Sequence, residues 1–162
     1  MPAMNVAVQQ VGEALRTLGA TGRIHTFAER VPTAAAAADQ LGCPVGAIAN
    51  SLVFSADGVP LLVITSGAHR ADVGRVAAHL GVGKKKIRRA DPEFVLAATG
   101  QRVGGVAPVG HPRPVRTLVD TWLQRYDTVW AGAGDDHSMF PTTCAELVRM
   151  TAGVLLDLGC DS

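Results

Sequence analysis

The sequence predicts one mixed α/β domain whose sheet is not purely parallel. Three observations predict it. The 162 residues fit a single domain, since domains commonly run to about 100–200 residues. Segments of helical period alternate along the chain with short apolar runs rich in β-branched residues. Several of those runs are joined by turns too short for a helical crossover, which requires antiparallel neighbours. No internal repeat or linker interrupts the chain, so residues 1–162 read as one domain. Hydrophobic residues at 48% and charged residues at 18% exclude a disordered chain. A domain of this size buries about two thirds of its unfolded surface and needs no disulfide or metal to hold it. Aromatics make up only 4%, so the core must be Val, Leu, Ile and Ala.

The elements follow in order. Residues 5–18 place Val11, Leu15 and Leu18 on one stripe, a helix closed by Gly19 and Gly22. Arg23 to Phe27 reads as a short strand. Thr33 can cap a second helix over the alanine run Ala34 to Ala38, with Gly42 as its stop. Ile48 to Phe54 and Pro60 to Ser66 form the clearest strand pair, with turn chemistry at Ser55-Ala56-Asp57-Gly58. Gly67 ends the second of them. Asp72 caps a helix carrying Val73, Val76, Ala77 and Leu80, with Gly81 behind it. The basic segment around Ile87 reads as a strand, and Asp91-Pro92 starts a helix that ends near Thr99-Gly100. Residues 101–114 have Gly and Pro punctuation and no helical period, hence a loop. Strands are expected at Thr117 to Asp120, Thr128 to Ala133 and His137 to Phe140, with a turn at Gly134-Asp135-Asp136. Thr143 and Glu146 make a capping box for a last helix, Cys144 to Met150, stopped by Gly153. Val154 to Leu158 closes the chain's strands.

Charge bounds the function class. The net charge of +1 gives no whole-protein footprint for nucleic acid. Locally, Lys84-Lys85-Lys86-Ile87-Arg88-Arg89 puts five cations into six positions. That segment is either an edge strand defended by charge or a phosphate-contact surface. Cys43, Cys144 and Cys160 are odd in number and lack a C-x-x-C spacing, which excludes a disulfide framework or zinc ribbon. The N-terminus lacks a basic region followed by an apolar stretch, and runs such as Pro60 to Ile64 are too short to span a bilayer. Cytoplasm is the expected compartment, with no membrane partner.

Three segments can carry chemistry. In Gly104-Gly105-Val106-Ala107-Pro108-Val109-Gly110-His111, paired glycines let backbone amides approach a ligand, as an oxyanion hole requires, and Pro108 stiffens the loop. An ordinary surface loop is the competing reading. Ala131 to His137 ends a strand in small residues and then presents two carboxylates and a histidine. A metal there needs His111, His137 and Asp135 or Asp136 to converge, and no local ligand pair supports it. Asn50 shares a strand face with Ile48, Leu52 and Phe54, so it either bonds within the core or lines a cavity. Nucleophilic catalysis finds no support: there is no G-x-S-x-G elbow, and Ser51, Ser66 and Ser138 have no spaced partner.

The segment order resembles the YbaK/ProX family and the editing domain inserted in bacterial prolyl-tRNA synthetases. The matching pieces are Thr33-Ala34-Ala35-Ala36-Ala37, Ile48-Ala49-Asn50-Ser51-Leu52-Val53-Phe54, Leu62 to Gly67 with Arg70 and Asp72, Gly104 to His111, Leu118-Val119-Asp120, and Ala133-Gly134 through His137 to Phe140. They run from about residue 25 to 158. The resemblance implies a curved, mixed, largely antiparallel central sheet flanked by helices. It implies a pocket that takes the 3′ end of aminoacyl-tRNA and hydrolyses a wrong ester, without metal or organic cofactor. Asn50, Gly104, Gly105 and Pro108 would lie at the reaction centre. Thr33, Ser66, Gly67, Arg70, Gly110, His111, Gly134 and His137 would bind substrate. An aminoacyl-tRNA synthetase is a further partner that the resemblance implies. Asn50 departs from the pattern, since relatives carry lysine in that strand. A fold retained with weakened or lost catalysis is therefore the alternative to an active deacylase, and an unrelated small-molecule or metal hydrolase is a third.

Overall fold

The computed structural model describes residues 5–160, so the two ends of the expected 1–162 domain lie outside the described residues. The order is α1 (Val6–Thr17), β1 (His25–Thr26), α2 (Ala34–Leu41), β2 (Ile48–Ala56), β3 (Val59–Ser66), β4 (Arg70–Ala71) and α3 (Val73–Leu80). It continues with β5 (Ile87–Arg89), α4 (Pro92–Thr99), β6 (Arg116–Asp120), β7 (Val129–Gly132), β8 (Ser138–Thr142), α5 (Cys144–Thr151), β9 (Val154–Leu156) and β10 (Gly159–Cys160). The expected caps form: Thr33 Oγ1 accepts from Ala36 N, Asp72 Oδ1 from Arg75 N and Asp91 Oδ1 from Phe94 N. Such a cap contributes about 1 kcal/mol.

Eight strands form one mixed sheet in the order β1-β8-β7-β2-β3-β6-β9, with β5 added beside β2. The pairs β1–β8, β7–β8, β2–β3 and β2–β5 are antiparallel, while β2–β7, β3–β6 and β6–β9 are parallel. Antiparallel pairing therefore prevails, as the hairpin-length turns required. Alternation along β2 divides the core. Ala49 and Val53 face the cluster built with Val11 and Leu15 of α1, Val95 of α4, and Leu147 and Met150 of α5. Ile48 faces Ala37 and Ala38 of α2, and Phe54 faces Val76 and Ala77 of α3. The alanine run thus packs close to the sheet.

The structure corrects several boundaries. The strand expected over Arg23–Phe27 shortens to His25–Thr26, and the one expected over His137–Phe140 starts at Ser138 and runs to Thr142. The closing strand stops at Leu156, and Lys84–Lys86 is a 3₁₀ turn ahead of β5. The small β4–β10 pair and the 3₁₀ turn Thr121–Arg125 are additions. Asp120 explains that turn. Fully buried, it accepts from Thr65 Oγ1, Ser66 N and His69 Nε2 through Oδ2, and from Trp122 N through Oδ1. The capping box at α5 is only half made. Thr143 Oγ1 accepts from Glu146 N, but the Glu146 carboxylate accepts from Thr142 Oγ1 and Thr21 instead of reaching back.

Candidate functional site

The sheet has a gap. β3 lines one edge of β2 along its length. On the other edge β7 pairs only at Ile48 and Ala49, and β5 only from Phe54 to Ala56. Val53 O accepts from Ala90 N, which leaves the edge of Asn50, Ser51 and Leu52 facing no strand among the described residues. At about 3.3 Å per residue, the slot from Ala49 to Phe54 is roughly 17 Å long. A cavity of about 280 Å³ fills it. That is the small end of ligand pockets, which run to about 300–1,000 Å³.

Four expected site residues meet here: Thr33, Asn50, Gly104 and Gly105 all line the cavity. The Asn50 carboxamide makes no hydrogen bond with the described residues. Thr33 brings the α2 N-terminus, whose free amides carry partial positive charge. Gly104 adopts φ 102°, which a side chain strains against. Gly105 is glycine for a different reason: a Cβ there would lie 2.3 Å from the Asp135 carbonyl carbon. Its own carbonyl accepts from Gly134 N at 2.8 Å. The amides of Gly104, Gly105 and Val106 have no partner among the described residues. Unpaired amides beside a cavity are what a developing oxyanion requires.

The loop is held from behind by Gln101, which sequence reading passed over as one polar residue after a helix. Fully buried, Gln101 donates from Nε2 to Val109 O and accepts at Oε1 from Ala107 N at 2.6 Å. Ala107 N is thereby withdrawn from any ligand. Pro108 is buried and does not line the cavity, so its part is to stiffen the loop.

The remaining expected substrate contacts sit elsewhere. His111 packs behind the loop, its ring nitrogen Nε2 2.8 Å from Ala107 O. Burial pushes the His111 pKa down, against the upward pull of that carbonyl, so the neutral ring donates to it. Gly110 and Gly134, at φ 85° and 113°, seat α1: a Cβ would meet Val11 Cα at 3.2 Å and Ala7 C at 2.9 Å. Ser66 Oγ donates to Gly46 O, and a Cβ on Gly67 would meet Val45 O at 2.4 Å, so both pin the turn before β2. Arg70 is exposed on β4, away from the cavity. His137 turns to Asp136, with Nδ1 2.9 Å from its Oδ1. Asp136 also accepts from Arg30 Nε at 2.7 Å. Burial raises the Asp136 pKa, but the hydrogen bonds and charges of Arg30 and His137 outweigh it and lower the net value.

Two charged residues that sequence reading did not place in the site do line the cavity, Arg89 and Asp135. Asp135 entered only as a conceivable metal ligand, and Arg89 only within the basic run. Asp135 Oδ1 accepts from His137 N, which leaves its other oxygen for a ligand. Alternation along β5 carried the signal for Arg89. Among the described residues no three His, Cys, Asp or Glu side chains are grouped to hold a metal ion. Burial raises the thiol pKa of Cys43 and of Cys144, the latter also through the charge of Asp120. Neither is an activated nucleophile. A larger groove of about 950 Å³ runs beneath α1 past His111 and meets the cavity at Val103, Gly105 and Asp135. No helix among the described residues is long and apolar enough to cross a membrane.

Known proteins share this fold. A solved structure described as a candidate trans-editing enzyme for prolyl tRNA synthetase superposes with a TM-score of 0.91 at 33% identity, covering 98% of this chain and 100% of that one. The uncharacterized protein YwhH of Bacillus subtilis (strain 168) is 31% identical over 112 residues, 68% of this chain and 69% of that protein. A proline–tRNA ligase of Staphylococcus haemolyticus is 27% identical over 110 residues, which is 68% of this chain but only 19% of the ligase. The family described as "Aminoacyl-tRNA editing domain" matches residues 28–150. The chain with the interrupted β2 edge and the Gly104-Gly105 loop belongs to the aminoacyl-tRNA editing domain family.

Proposed function

We propose that this chain hydrolyses, in trans, the ester of a tRNA mischarged with a small amino acid of the Ala, Ser or Cys class, with tRNA-Pro as the carrier. One observation carries the reading: Gly104, Gly105 and Val106, whose amides have no partner among the described residues, line a cavity of about 280 Å³ together with an unpaired stretch of β2. An aminoacyl ester is already reactive, so positioning and oxyanion stabilisation suffice without a protein nucleophile. Water adds to the ester carbonyl, and the loop amides take the negative oxygen. The bond to the ribose oxygen then breaks, and that oxygen leaves with a proton derived from the water. The free Asp135 oxygen suits the substrate α-ammonium, and Asn50 donates to the ribose end. The apolar wall of Ala37, Ile48, Val53 and Met139 admits only a small side chain.

Asn50 favours a second reading, a module that holds aminoacyl-tRNA or a synthetase with weakened or lost catalysis. A neutral hydrogen bond contributes about 0.5–1.5 kcal/mol and a charged one roughly 1.5–3. The difference of about 1–2 kcal/mol is a factor of roughly 5 to 30 in rate. Incubating purified mischarged tRNAs with the wild type and with Asn50→Lys separates the readings. Ester loss with both supports hydrolysis, and loss with the variant alone supports the second reading. Inactivity of both on every charged tRNA, with no tRNA bound, overturns the hydrolytic reading. Activity abolished by a chelator would mark a metal hydrolase instead.

A further inference from the structure

Arg89 sits at one end of the slot. The register pairs it with Phe54, so it lies on the sheet face shared by Asn50. Its guanidinium carbon stands 5.6 Å from the Phe54 ring centroid, and it lines the cavity. Arg89 is exposed and makes no ion pair among the described residues. The neighbouring Lys84, Lys85 and Arg88 are likewise exposed and unpaired, while Lys86 lies 3.7 Å from Asp57. Asp91, the nearest acid along the chain, is turned away to cap α4. Of these cations only Arg89 lines the cavity, because Arg88, paired with Ser55, lies on the other sheet face.

We propose that Arg89 grips the phosphodiester nearest the cavity in the single-stranded nucleic acid that bears the ester. The inference rests on the editing reading above. Arg89 is opposite Phe54, four residues beyond Asn50 and so about 13 Å along the strand. From there it meets the chain trailing out of the cavity, not the ester inside it. The competing role is edge defence, since among the described residues β5 pairs only with β2 and its outer edge is free. Edge defence involves no substrate.

Two substrates separate these roles: aminoacyl-tRNA, and the same amino acid esterified to adenosine, which has no phosphodiester. Hydrolysis of each is measured for the wild type, Arg89→Gln and Arg88→Gln across a salt series, with Tm as the folding control. Arg89→Gln should lower kcat/KM on the tRNA ester about 10- to 100-fold more than on the adenosine ester, the range of one charge-assisted contact. It should also flatten the log–log salt slope by about 0.7, the value for one single-strand phosphate. Arg88→Gln, on the opposite sheet face, should leave the difference between the two substrates unchanged. Equal losses on both substrates, or no loss on either, overturn the inference. If the wild type hydrolyses neither ester, the editing reading fails and binding decides. A tRNA Kd with the same Arg89-dependent salt slope upholds the contact, and a Kd unchanged by Arg89→Gln overturns it.

Discussion

Gly105→Val strikes the candidate oxyanion loop at its tightest point. A Cβ at residue 105 would lie 2.3 Å from Asp135 C, 2.4 Å from its Cα and 2.5 Å from its O. Ordinary contact begins at 3.4 Å, so the two segments must part by 3.4 − 2.3, about 1.1 Å. All three atoms are backbone and cannot rotate aside. The movement pulls on the bond from Gly134 N to Gly105 O and carries the free amides of Gly104 to Val106 out of register. A displacement of about 1 Å costs about 10²-fold in rate, and a lost oxyanion donor about 10²- to 10³-fold. Overpacking also costs about 1–3 kcal/mol of stability, so a urea denaturation curve must accompany the kinetics. The assay is single-turnover ester hydrolysis at saturating protein. A drop in kcat of about 10² or more, in a variant still folded, is expected. A folded variant with undiminished kcat would show that these amides do not hold the oxyanion.

Three further outcomes are expected. Asn50→Lys should raise the hydrolysis rate roughly 5- to 30-fold, and an unchanged or lower rate would show that this strand position does not meet the reacting end. Asp120→Ala should destabilise the fold by about 3 kcal/mol or more, because Ser66 N and Trp122 N lose their acceptor; denaturation showing under 1 kcal/mol would contradict the role given to it. The His111 pKa is lowered from 6.5, so below pH 6.5 the unfolded chain binds a proton that the folded chain refuses. The stability linked to that ring is thus fully present above pH 6.5 and declines as pH falls. His111→Gln keeps a donor for Ala107 O and removes the titration, so its Tm should fall less than the wild type's between about pH 7 and about pH 5.

Local chemistry made most of the fold readable. Thr33, Asp72 and Asp91 cap as side chains of their type do, and Gly42, Gly81 and Gly100 end their helices in left-handed conformation. The β2–β3 hairpin followed from two runs rich in β-branched and apolar residues with turn residues between them. The site was readable only in part, because a glycine in a loop has several uses. Gly104 and Gly105 face the cavity, whereas Gly110 and Gly134 are glycine because α1 crosses above them. Nothing local in the sequence says which helix will pass a given loop. The slot itself depends on two strands distant in sequence, β5 and β7, meeting the same edge of β2 without closing on each other. Gln101 escaped notice for a similar reason, since its partners Ala107 and Val109 lie across a loop with no regular geometry. For Asn50, strand period left a core hydrogen bond and a cavity lining both open; the family resemblance put it at the site, and in the structure it lines the cavity.

Purified wild-type chain mixed with alanyl-tRNA-Pro and, separately, with prolyl-tRNA-Pro puts the hydrolytic reading to its test. Loss of the alanyl ester above the protein-free rate, with the prolyl ester spared and the alanyl rate falling in Gly105→Val, is the expected result. Alanyl, seryl and cysteinyl esters that all survive, with no tRNA bound, would contradict it.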